Sequence, residues 1–493
     1  MEDVKYESVI GLEIHAELNT RTKMFCACLN DPDEKHPNTN ICPVCMGHPG
    51  TLPTANEEAI KKVILVGLAI NGTIAQFSQF DRKNYFYPDL PKGYQISQYP
   101  HPLVSGGHLE IQVAAREPRK IRINRIHLEE DTGRLIHDGK SGGTLVDFNR
   151  AGVPLMELVT EPDLRTAEEV QEFGERLRDI LRYTNVSHAD MEKGQMRVEV
   201  NLSVRERGAR QFGTKVEVKN INSFRYAADA ARYEKVRQIE LVKNGEAVKQ
   251  ETRGWNEYKH QSISQRSKEQ AHDYRYFPEP DIPPLTLSLE YIEKIREMLP
   301  ELPEAKRIRF VAEYKIDTAI AEILVKDKSL ADFFEASVSE ALQHESESGQ
   351  TSTKDITKTV GAFLTGDFLR LLRESGSSVA ELRMKPEHLA ELAMFATQDK
   401  VSNLGAKQAL EAMFHSGDDA HEAIERLGLW QISDTGDLEN VVQFVIKENS
   451  KAVDDYRQGK AASLQFLLGQ IMKETRGKAN PKVVQEILER ILN

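Results

Sequence analysis

The sequence predicts an α+β fold, in which a domain with a mixed or antiparallel sheet is followed by an all-helical part. Up to about residue 290, short runs of alternating apolar and polar residues predominate, the pattern of half-buried strands. A proline-rich passage from Phe277 to Pro303 then marks a boundary. From Glu304 onward apolar residues recur at helical spacing between short polar breaks, which predicts helices in place of strands.

The first strand is predicted at Ile10–Leu18. Every second residue there is apolar, which places Glu13, His15 and Glu17 together on the opposite, polar face. The same alternation at Met196–Val204 predicts another strand with one polar face, as is usual in an antiparallel sheet.

A helix is predicted after Thr166, which forms a capping box with Glu169. Apolar residues then follow at helical spacing: Val170, Phe173, Leu177 and Leu181. Near the end of the chain, Gly477 is placed to end one helix, and Asn480 with Pro481 to begin the last.

The composition is that of an ordinary folded protein. Of its 493 residues, 29% are charged and 40% are apolar, and no stretch approaches the roughly 20 apolar residues of a membrane span. We therefore expect a cytoplasmic protein without membrane contact. The net charge of −12 disfavours nucleic-acid binding by the whole chain, but Lys451–Asn493 holds eight basic and five acidic residues. Such a basic tail is compatible with RNA binding.

All four cysteines of the chain lie within twenty residues, as two close pairs: Cys26 with Cys28, and Cys42 with Cys45. Four thiolates suit the tetrahedral coordination of Zn²⁺, so the spacing predicts a zinc site. Disulfides, a thioredoxin-like dithiol and plain buried thiols are the alternatives. A zinc ion closed by four thiolates has no open position, so this site would hold a loop and the chemistry would lie elsewhere.

Three segments of the first domain are rich in groups that bind phosphate or metal. Asp81–Gln95 interleaves cations, amides and aromatic rings, which suits a polyanionic ligand. His127–Gly133 carries three consecutive acids after a strand, which suits Mg²⁺. Asp147–Glu157 carries Arg150, a candidate phosphate clamp. Solvated loops and ordinary turn chemistry are the structural alternatives for these segments.

Two familiar catalytic arrangements are missing from the sequence. No Gly-x-Gly-x-x-Gly occurs, and Gly139-Lys140-Ser141 has the wrong spacing from Gly133 for a phosphate loop. With every cysteine in the cluster and no serine in a nucleophile elbow, no convincing nucleophile remains. If nitrogen chemistry occurs here, the ammonia must come from a partner.

Taken together, these segments closely resemble the B subunit of the aspartyl/glutamyl-tRNA amidotransferases. The resemblance covers essentially the whole chain in order and ends in a tail similar to small YqeY-type proteins. It is carried by the two cysteine pairs and by Val9–Leu18, Lys83–Gln98, His127–Asp131, Asp147–Arg150, Glu217–Phe224, Asp273–Asp281, Gly459–Lys460, Gly469–Lys473 and Gly477–Pro481.

The resemblance implies a tRNA-dependent ligase reaction in translation. The B subunit would bind misacylated Glu-tRNA(Gln) or Asp-tRNA(Asn), phosphorylate the side-chain carboxylate with ATP, and let ammonia displace the phosphate to give the amide. The ammonia would come through a channel from glutamine hydrolysed by an amidase-type A subunit, and a small C subunit would complete a heterotrimer. The implied domains are a catalytic cradle with a zinc-binding insertion at 1–293, a helical domain at 294–410 and a YqeY-like helical tail at 411–493.

Chemistry and motif together give a hypothesis for the site residues, since making an acyl phosphate requires Mg²⁺ and cations around the transferred phosphate. Mg²⁺ is assigned to His15 and Glu129, with Glu13 and Glu130 as further or supporting groups. The phosphate clamps are assigned by residue type to Lys83, Lys92 and Arg150, and the tail residues expected to contact tRNA are Lys460, Lys473, Arg476 and Lys478.

The chain departs from the family pattern at Glu199, where aspartate is more usual. Two other functions fit the residues: a noncatalytic RNA-binding adaptor with a zinc ribbon and a basic helical tail, and a stand-alone Mg²⁺-dependent phosphohydrolase. The sequence does not decide between Glu-tRNA(Gln) and Asp-tRNA(Asn), because that choice lies in RNA shape.

Overall fold

The computed structural model describes residues 5–31, 33–114, 117–137, 142–267, 274–348, 353–432, 435–460, 462–475 and 477–492. The chain divides into two compact units, Met1–Leu302 and Pro303–Asn493. Strands are confined to the first unit among these residues, and the second is helical, which confirms the predicted α+β class. No helix in the described ranges is both long and apolar enough to cross a membrane.

The first unit is built on a ten-stranded sheet. Its strands are β1 Tyr6–Glu17, β2 Thr73–Ile74, β6 Val104–Ser105, β7 His108–Ile111, β8 Arg119–Glu130, β11 Pro154–Thr160, β12 Met196–Glu206, β13 Val216–Lys219, β14 Glu251–Asn256 and β15 Gln261–Ser267. Their order is β15-β14-β13-β12-β1-β11-β8-β6-β2, and β7 also pairs with β8. All of these pairs are antiparallel except β13 with β14.

The described residues of this unit also form three smaller sheets. They are the hairpin of β9 Arg134–His137 with β10 Thr144–Asp147, the pair β3 Phe77–Ser78 with β17 Leu285–Thr286, and the three strands β4 Asp81–Asn84, β5 Tyr94–Ser97 and β16 Phe277–Pro278.

Helices cover one face of the large sheet. They are α1 Glu57–Ala69, α2 Ala167–Tyr183, α3 Phe224–Lys243 and α4 Leu289–Arg296. The predicted capping box is present, because Thr166 accepts from the N–H of Glu169 and the Glu169 side chain bonds back to Thr166. Phe173 and Leu177 on α2 are fully buried, and α3 packs on both α2 and β12. The opposite face of the central strands is left for polar side chains.

The second unit is helical throughout its described part. Its helices are α5 Pro303–Tyr314, α6 Thr318–Leu324, α7 Lys328–Ser348, α8 Thr353–Phe363, a π-helical turn Leu364–Phe368, α9 Leu369–Ser375, a 3₁₀ turn Val379–Glu381, α10 Pro386–Thr397, α11 Asn403–Ser416, α12 Ala420–Leu427, α13 Thr435–Glu448, α14 Ser450–Arg457, α15 Ala462–Glu474 and α16 Pro481–Leu492.

Two hydrophobic clusters hold these helices together. One consists of buried residues between Phe310 and Ile424, and the other consists of buried residues between Leu438 and Leu492. A domain boundary at residue 410 would fall inside α11, whose residues Ala406 and Met413 are buried in the first cluster.

Candidate active site

A row of polar residues runs across the middle of the large sheet. His15 on β1 lies directly opposite Glu157 on β11, and Glu157 lies directly opposite His127 on β8. Arg197 on β12 lies opposite His15 on its other side. Directly opposed residues in an antiparallel pair point to the same face, so the strand register brings together four side chains from distant parts of the chain.

Two imidazoles and two carboxylates form the centre of this row, here called the carboxylate–imidazole cluster: His15, His127, Glu129 and Glu157. The Nε2 atom of His15 lies 3.2 Å from Glu157 and 3.8 Å from Glu129. The Nε2 atom of His127 lies 3.4 Å from Glu157 and 3.7 Å from Glu129. Both carboxylates are buried, and Ser97 donates a hydrogen bond of 2.9 Å to Glu129.

Opposite charges keep the cluster ionised. Burial would lower the pKa of His15, but the hydrogen bond and charge of Glu157 raise it to about 9. The charge of Glu157, followed by a hydrogen bond with Glu129, raises the pKa of His127 to about 9 against the same effect of burial. Burial would raise the pKa of Glu157, yet the two imidazoles hold it well below its usual range. A bound dication would take over the balance of charge and displace protons from the rings.

A second group of acids lies next to the cluster. Glu13 lies opposite Glu199 on β12, and the carboxylate oxygens of Glu13, Glu199 and Glu217 are within 4.8 Å of one another. The ammonium of Lys219 lies 2.9 Å from Glu199. Burial, followed by the charge of Glu157, raises the pKa of Glu13 to about 7. Glu13 therefore exchanges a proton near neutral pH.

A cavity of about 370 Å³ opens over the cluster and the second acidic group. Glu13, His127 and Glu157 line its floor side by side with basic and aromatic groups. Those groups include Lys83, Arg125, Lys215, Lys219, Tyr99, Tyr274 and Tyr276. The cavity thus combines carboxylates, one imidazole, ammonium groups and aromatic rings, which are the components needed to hold a metal ion and a polyanion.

Lys83, predicted as a phosphate clamp, lies in this cavity. Its ammonium is 5.2 Å from the ring centre of Tyr274 and 6.0 Å from that of Tyr85. Burial would lower the pKa of Lys83, but the nearby carboxylates, first Glu129 and then Glu157, raise it above its ordinary value. The group is therefore a permanent cation beside the cluster.

Lys92 and Glu130 lie in a different place. The two side chains form an ion pair, and both line a smaller cavity of about 220 Å³ together with Cys26 and Cys45. Successive residues of a strand point to opposite faces, so Glu130 turns away while Glu129 reaches the cluster. The structure does not bring Glu130 or Lys92 together with His15.

Arg150 lies beside the cluster without lining its cavity. Its guanidinium donates to the carbonyl oxygens of Thr132 at 3.0 Å and Gly133 at 2.8 Å, and lies 3.6 Å from Asp131. Asp131 in turn accepts a hydrogen bond of 2.9 Å from Arg197. Burial would raise the pKa of Asp131, but the two guanidinium groups hold it below its usual range.

The four cysteines meet as the sequence analysis expects. Their sulfur atoms all lie within 4.8 Å of one another, and Sγ of Cys42 is 3.9 Å from Sγ of Cys45. Zn–S bonds of about 2.3 Å in a tetrahedron require sulfur atoms close to 3.8 Å apart, so the donors fit Zn²⁺. A hydrogen bond with Cys26, and then the charge of Lys23, lower the pKa of Cys45 to about 5 against burial.

The residues predicted to contact tRNA lie in the second unit. Lys460 follows α14 and is largely exposed, donating to Asp455 at 2.7 Å. Lys473 lies in the last turn of α15, and Lys478 lies just before α16. Arg476 lies outside the described residues.

Two members of the cluster were not singled out from the sequence. His127 lay in a motif that was interpreted through its acids, and Glu157 lay at the end of a turn-rich segment. A usable signal was present for Glu157, because it is the one charged residue in the otherwise uncharged strand Pro154–Thr160. A charge in a strand buried on both sides requires partners.

Comparison with known proteins identifies the family of the chain. Residues 8–293 match the family described as "GatB/GatE catalytic domain", and residues 347–492 match the "GatB domain". The chain is 47% identical to the B subunit of the aspartyl/glutamyl-tRNA(Asn/Gln) amidotransferase of Caldanaerobacter subterraneus subsp. tengcongensis, over 99% of this chain and 100% of the relative. It is 47% identical to the protein of the same name from Caldicellulosiruptor bescii over 98% of both chains, and 46% identical to that of Dehalococcoides mccartyi over 99% of both. On this agreement over its full length, the chain belongs to the family of the aspartyl/glutamyl-tRNA(Asn/Gln) amidotransferase B subunits.

Proposed function

We propose that this chain activates the side-chain carboxylate of Glu-tRNA(Gln) or Asp-tRNA(Asn) with ATP and converts it to the amide with ammonia. The observation that carries the proposal is the cavity lined by carboxylates, by the imidazole of His127 and by the permanent cation of Lys83, next to the carboxylate–imidazole cluster. A carboxylate does not react with ammonia at neutral pH because oxide is a very poor leaving group. Phosphorylation of the carboxylate gives the acyl group a better leaving group, phosphate.

His15, Glu129 and Glu157 are the residues that would hold Mg²⁺. Two buried carboxylates held in the ionised state supply hard oxygen donors, and the imidazole of His15 lies within 3.8 Å of both. When bound, Mg²⁺ would neutralise the phosphate oxygens of ATP and leave room for water ligands. This assignment keeps His15 and Glu129 from the sequence hypothesis, adds Glu157, and leaves Glu130 out.

The chain's own side chains have two tasks in this scheme: they neutralise charge and accept a proton. Lys83 and Arg125 neutralise charge as the substrate carboxylate oxygen attacks the γ-phosphorus and ADP leaves. Ammonia then attacks the acyl carbon, and phosphate leaves with the electrons of the C–O bond. Glu13, with its pKa of about 7, accepts the proton that the new C–N bond releases from nitrogen.

The remaining parts of the assembly are those that the family implies. Ammonia is delivered through a channel from an amidase-type A subunit, in keeping with a sequence that offers no nucleophile for glutamine hydrolysis, and a small C subunit completes a cytoplasmic heterotrimer. Zn²⁺ at the four cysteines orders the loop between them. Lys460, Lys473 and Lys478 are available for tRNA phosphates in the second unit.

The test is ATP consumption by the assembled enzyme with misacylated tRNA. Glu129→Ala is expected to lower it by at least about 100-fold, because Glu129 would be both a metal ligand and a partner of Lys83. Glu172→Ala is the matched control, since Glu172 pairs with Arg176 one turn further along α2 and does not line the cavity. Unchanged ATP consumption in Glu129→Ala would refute the assignment. An RNA-binding adaptor predicts no tRNA-stimulated ATP hydrolysis at all.

A further inference from the structure

The loop between the two cysteine pairs binds the residue that precedes Arg150. The Oδ1 atom of Asn149 accepts hydrogen bonds from the backbone N–H groups of Thr39 at 2.8 Å and Asn40 at 2.9 Å. Its Nδ2 donates to the carbonyl oxygen of His36 at 2.8 Å. Asn149 is 8% exposed, so three of its four hydrogen-bonding positions are filled by this one loop.

Further bonds attach the same chain segment to the cysteine loop. Asn38 receives a hydrogen bond of 2.8 Å from the N–H of Phe148, and its own N–H donates to Asp147 at 3.1 Å. Lys23 is fully buried, with its ammonium 3.8 Å from Sγ of Cys45 and 3.4 Å from the carbonyl oxygen of Phe148. Residues 147–149 are therefore held on both sides by the cysteine-containing region.

The loop has no hydrophobic core of its own. Among its described residues, none from Leu29 to Ile41 is buried. A segment that buries little apolar surface does not gain enough free energy to offset its loss of conformational entropy. Its order therefore depends on its hydrogen bonds to residues 147–149 and on the four cysteines at its two ends, which a bound Zn²⁺ would join.

On its other side, Asn149 leads into the network next to the carboxylate–imidazole cluster. Arg150 is fixed on the carbonyl oxygens of Thr132 and Gly133, and it shares Asp131 with Arg197. Arg197 lies opposite His15 in the sheet. Through the Asn149–Arg150 peptide bond and these ion pairs, the cysteine loop is thus connected to Arg197 on β12, the strand that pairs with β1.

We propose that Asn149 is a positioning residue, through which the ordered cysteine loop fixes Arg150, Asp131 and Arg197 beside the carboxylate–imidazole cluster. Asn149 itself does not line the cavity and contacts no reacting atom. The inference rests on the proposed function for its effect on turnover. Its structural part is the coupling of residues 147–152 to the cysteine loop, and this part does not depend on the proposed function.

The experiment compares the assembled amidotransferase carrying wild-type chain, Asn149→Ala, Asn149→Asp and Asn124→Ala. Asn124 on β8 is the matched control, because its exposed side chain makes one hydrogen bond to Glu161. Zinc per chain, kcat and KM for misacylated tRNA, and amide hydrogen exchange of residues 147–152 are measured for each.

Asn149→Ala is expected to keep its zinc, to lower kcat about tenfold or more with little change in KM, and to speed exchange of residues 147–152. Asn149→Asp, which keeps the acceptor for Thr39 and Asn40, should recover part of kcat, and Asn124→Ala should behave as wild type. Removal of zinc from the wild-type enzyme should speed the same exchange.

Two results would overturn the proposal. One is a wild-type kcat in Asn149→Ala. The other is unchanged exchange of residues 147–152 after zinc removal from the wild-type enzyme, a measurement that needs no catalysis. If the wild-type enzyme itself consumed no ATP with misacylated tRNA, the proposed function would fail while this exchange measurement still decided the coupling.

Discussion

Glu157 illustrates how a single side chain defines the candidate site. It is 5% exposed in a strand whose other residues are uncharged, where an unpaired carboxylate would cost several kcal/mol. The imidazoles of His15 and His127, at 3.2 and 3.4 Å, offset that cost. The arrangement keeps ionised oxygens inside a protein, which is what binding a hard cation requires.

Proton release on Mg²⁺ binding is the first prediction at this scale. A metal ligand must be deprotonated, and the pKa of His15 is about 9, so binding should strengthen as pH rises towards 9, by up to about tenfold per pH unit for one released proton. Titration calorimetry in buffers of different ionisation enthalpy measures both the affinity for Mg²⁺ and the number of protons released on binding. Above pH 9 the dependence should level off.

His15→Gln is the control for this prediction. Compared with the wild-type chain, it should bind Mg²⁺ more weakly and release fewer protons on binding, because a glutamine side chain has no titratable proton to lose. Binding by the wild-type chain that is independent of pH between about 6 and 9 would show that His15 is not a ligand.

For residues of the sheet, the sequence was informative where the alternation of the strand identified which side chains share a face. The alternation at Ile10–Leu18 placed Glu13 and His15 on one polar face, as the structure has them. Glu129 and Glu130 were considered together as adjacent acids, although a strand turns neighbours in opposite directions. Glu157 lies next to His15 only because β11 pairs with β1. Local sequence patterns do not predict the register between two strands that are distant in the chain.

At the scale of elements, the sequence predicts features that depend on neighbouring residues, but it does not predict which distant strands pair with one another. The capping box of α2 and the half-buried strands β1 and β12 were foreseen because each depends on residues a few positions apart. The order of the ten-stranded sheet and the parallel pair β13–β14 depend on contacts between distant segments. These contacts place His127, Glu157 and Lys219 around one cavity.

The contact of α5 with α7 gives a prediction about stability. Lys306 lies 2.8 Å from Asp332 and 3.1 Å from Glu335, and the Glu335 carboxylate also meets Arg309. Burial would raise the pKa of Glu335, but the hydrogen bonds of Arg309 and Lys306 lower it below its ordinary value of 4.5. A depressed pKa stabilises the folded state above pH 4.5, and this contribution is lost as pH falls through the folded pKa.

Glu335→Gln should therefore unfold at a lower temperature than wild type at neutral pH. The difference should correspond to at most about 1 kcal/mol, because the group is partly exposed to solvent. It should shrink as pH falls from about 6 to about 3, as followed by thermal unfolding of the full chain. A difference that grew in acid would contradict the assigned sign.

At the scale of the whole molecule, the two compact units suggest a division of labour. The residues proposed for chemistry all lie in Met1–Leu302, and the lysines proposed for tRNA lie in Pro303–Asn493. The family assignment was reachable from sequence because its motifs extend along the entire chain. The boundaries expected at 293 and 410 stay predictions.

Deleting the chain from Lys451 onward should separate these roles. We expect KM for misacylated tRNA to rise by about tenfold or more, since loss of several phosphate contacts weakens binding. The value of kcat at saturating tRNA should stay within about twofold, because no group in the cavity is removed. Steady-state amidation assays of the assembled enzyme measure both, and loss of turnover at saturation would contradict the separation.

The central claim is that this chain makes an acyl phosphate, and the most direct test follows one oxygen atom. Misacylated tRNA carrying ¹⁸O in the side-chain carboxylate is incubated with the assembled enzyme, ATP and ammonia, and the released phosphate is analysed by mass spectrometry. The account predicts one ¹⁸O atom in each phosphate, because ammonia breaks the bond between the acyl carbon and that oxygen. Amide formed with phosphate free of ¹⁸O would contradict it.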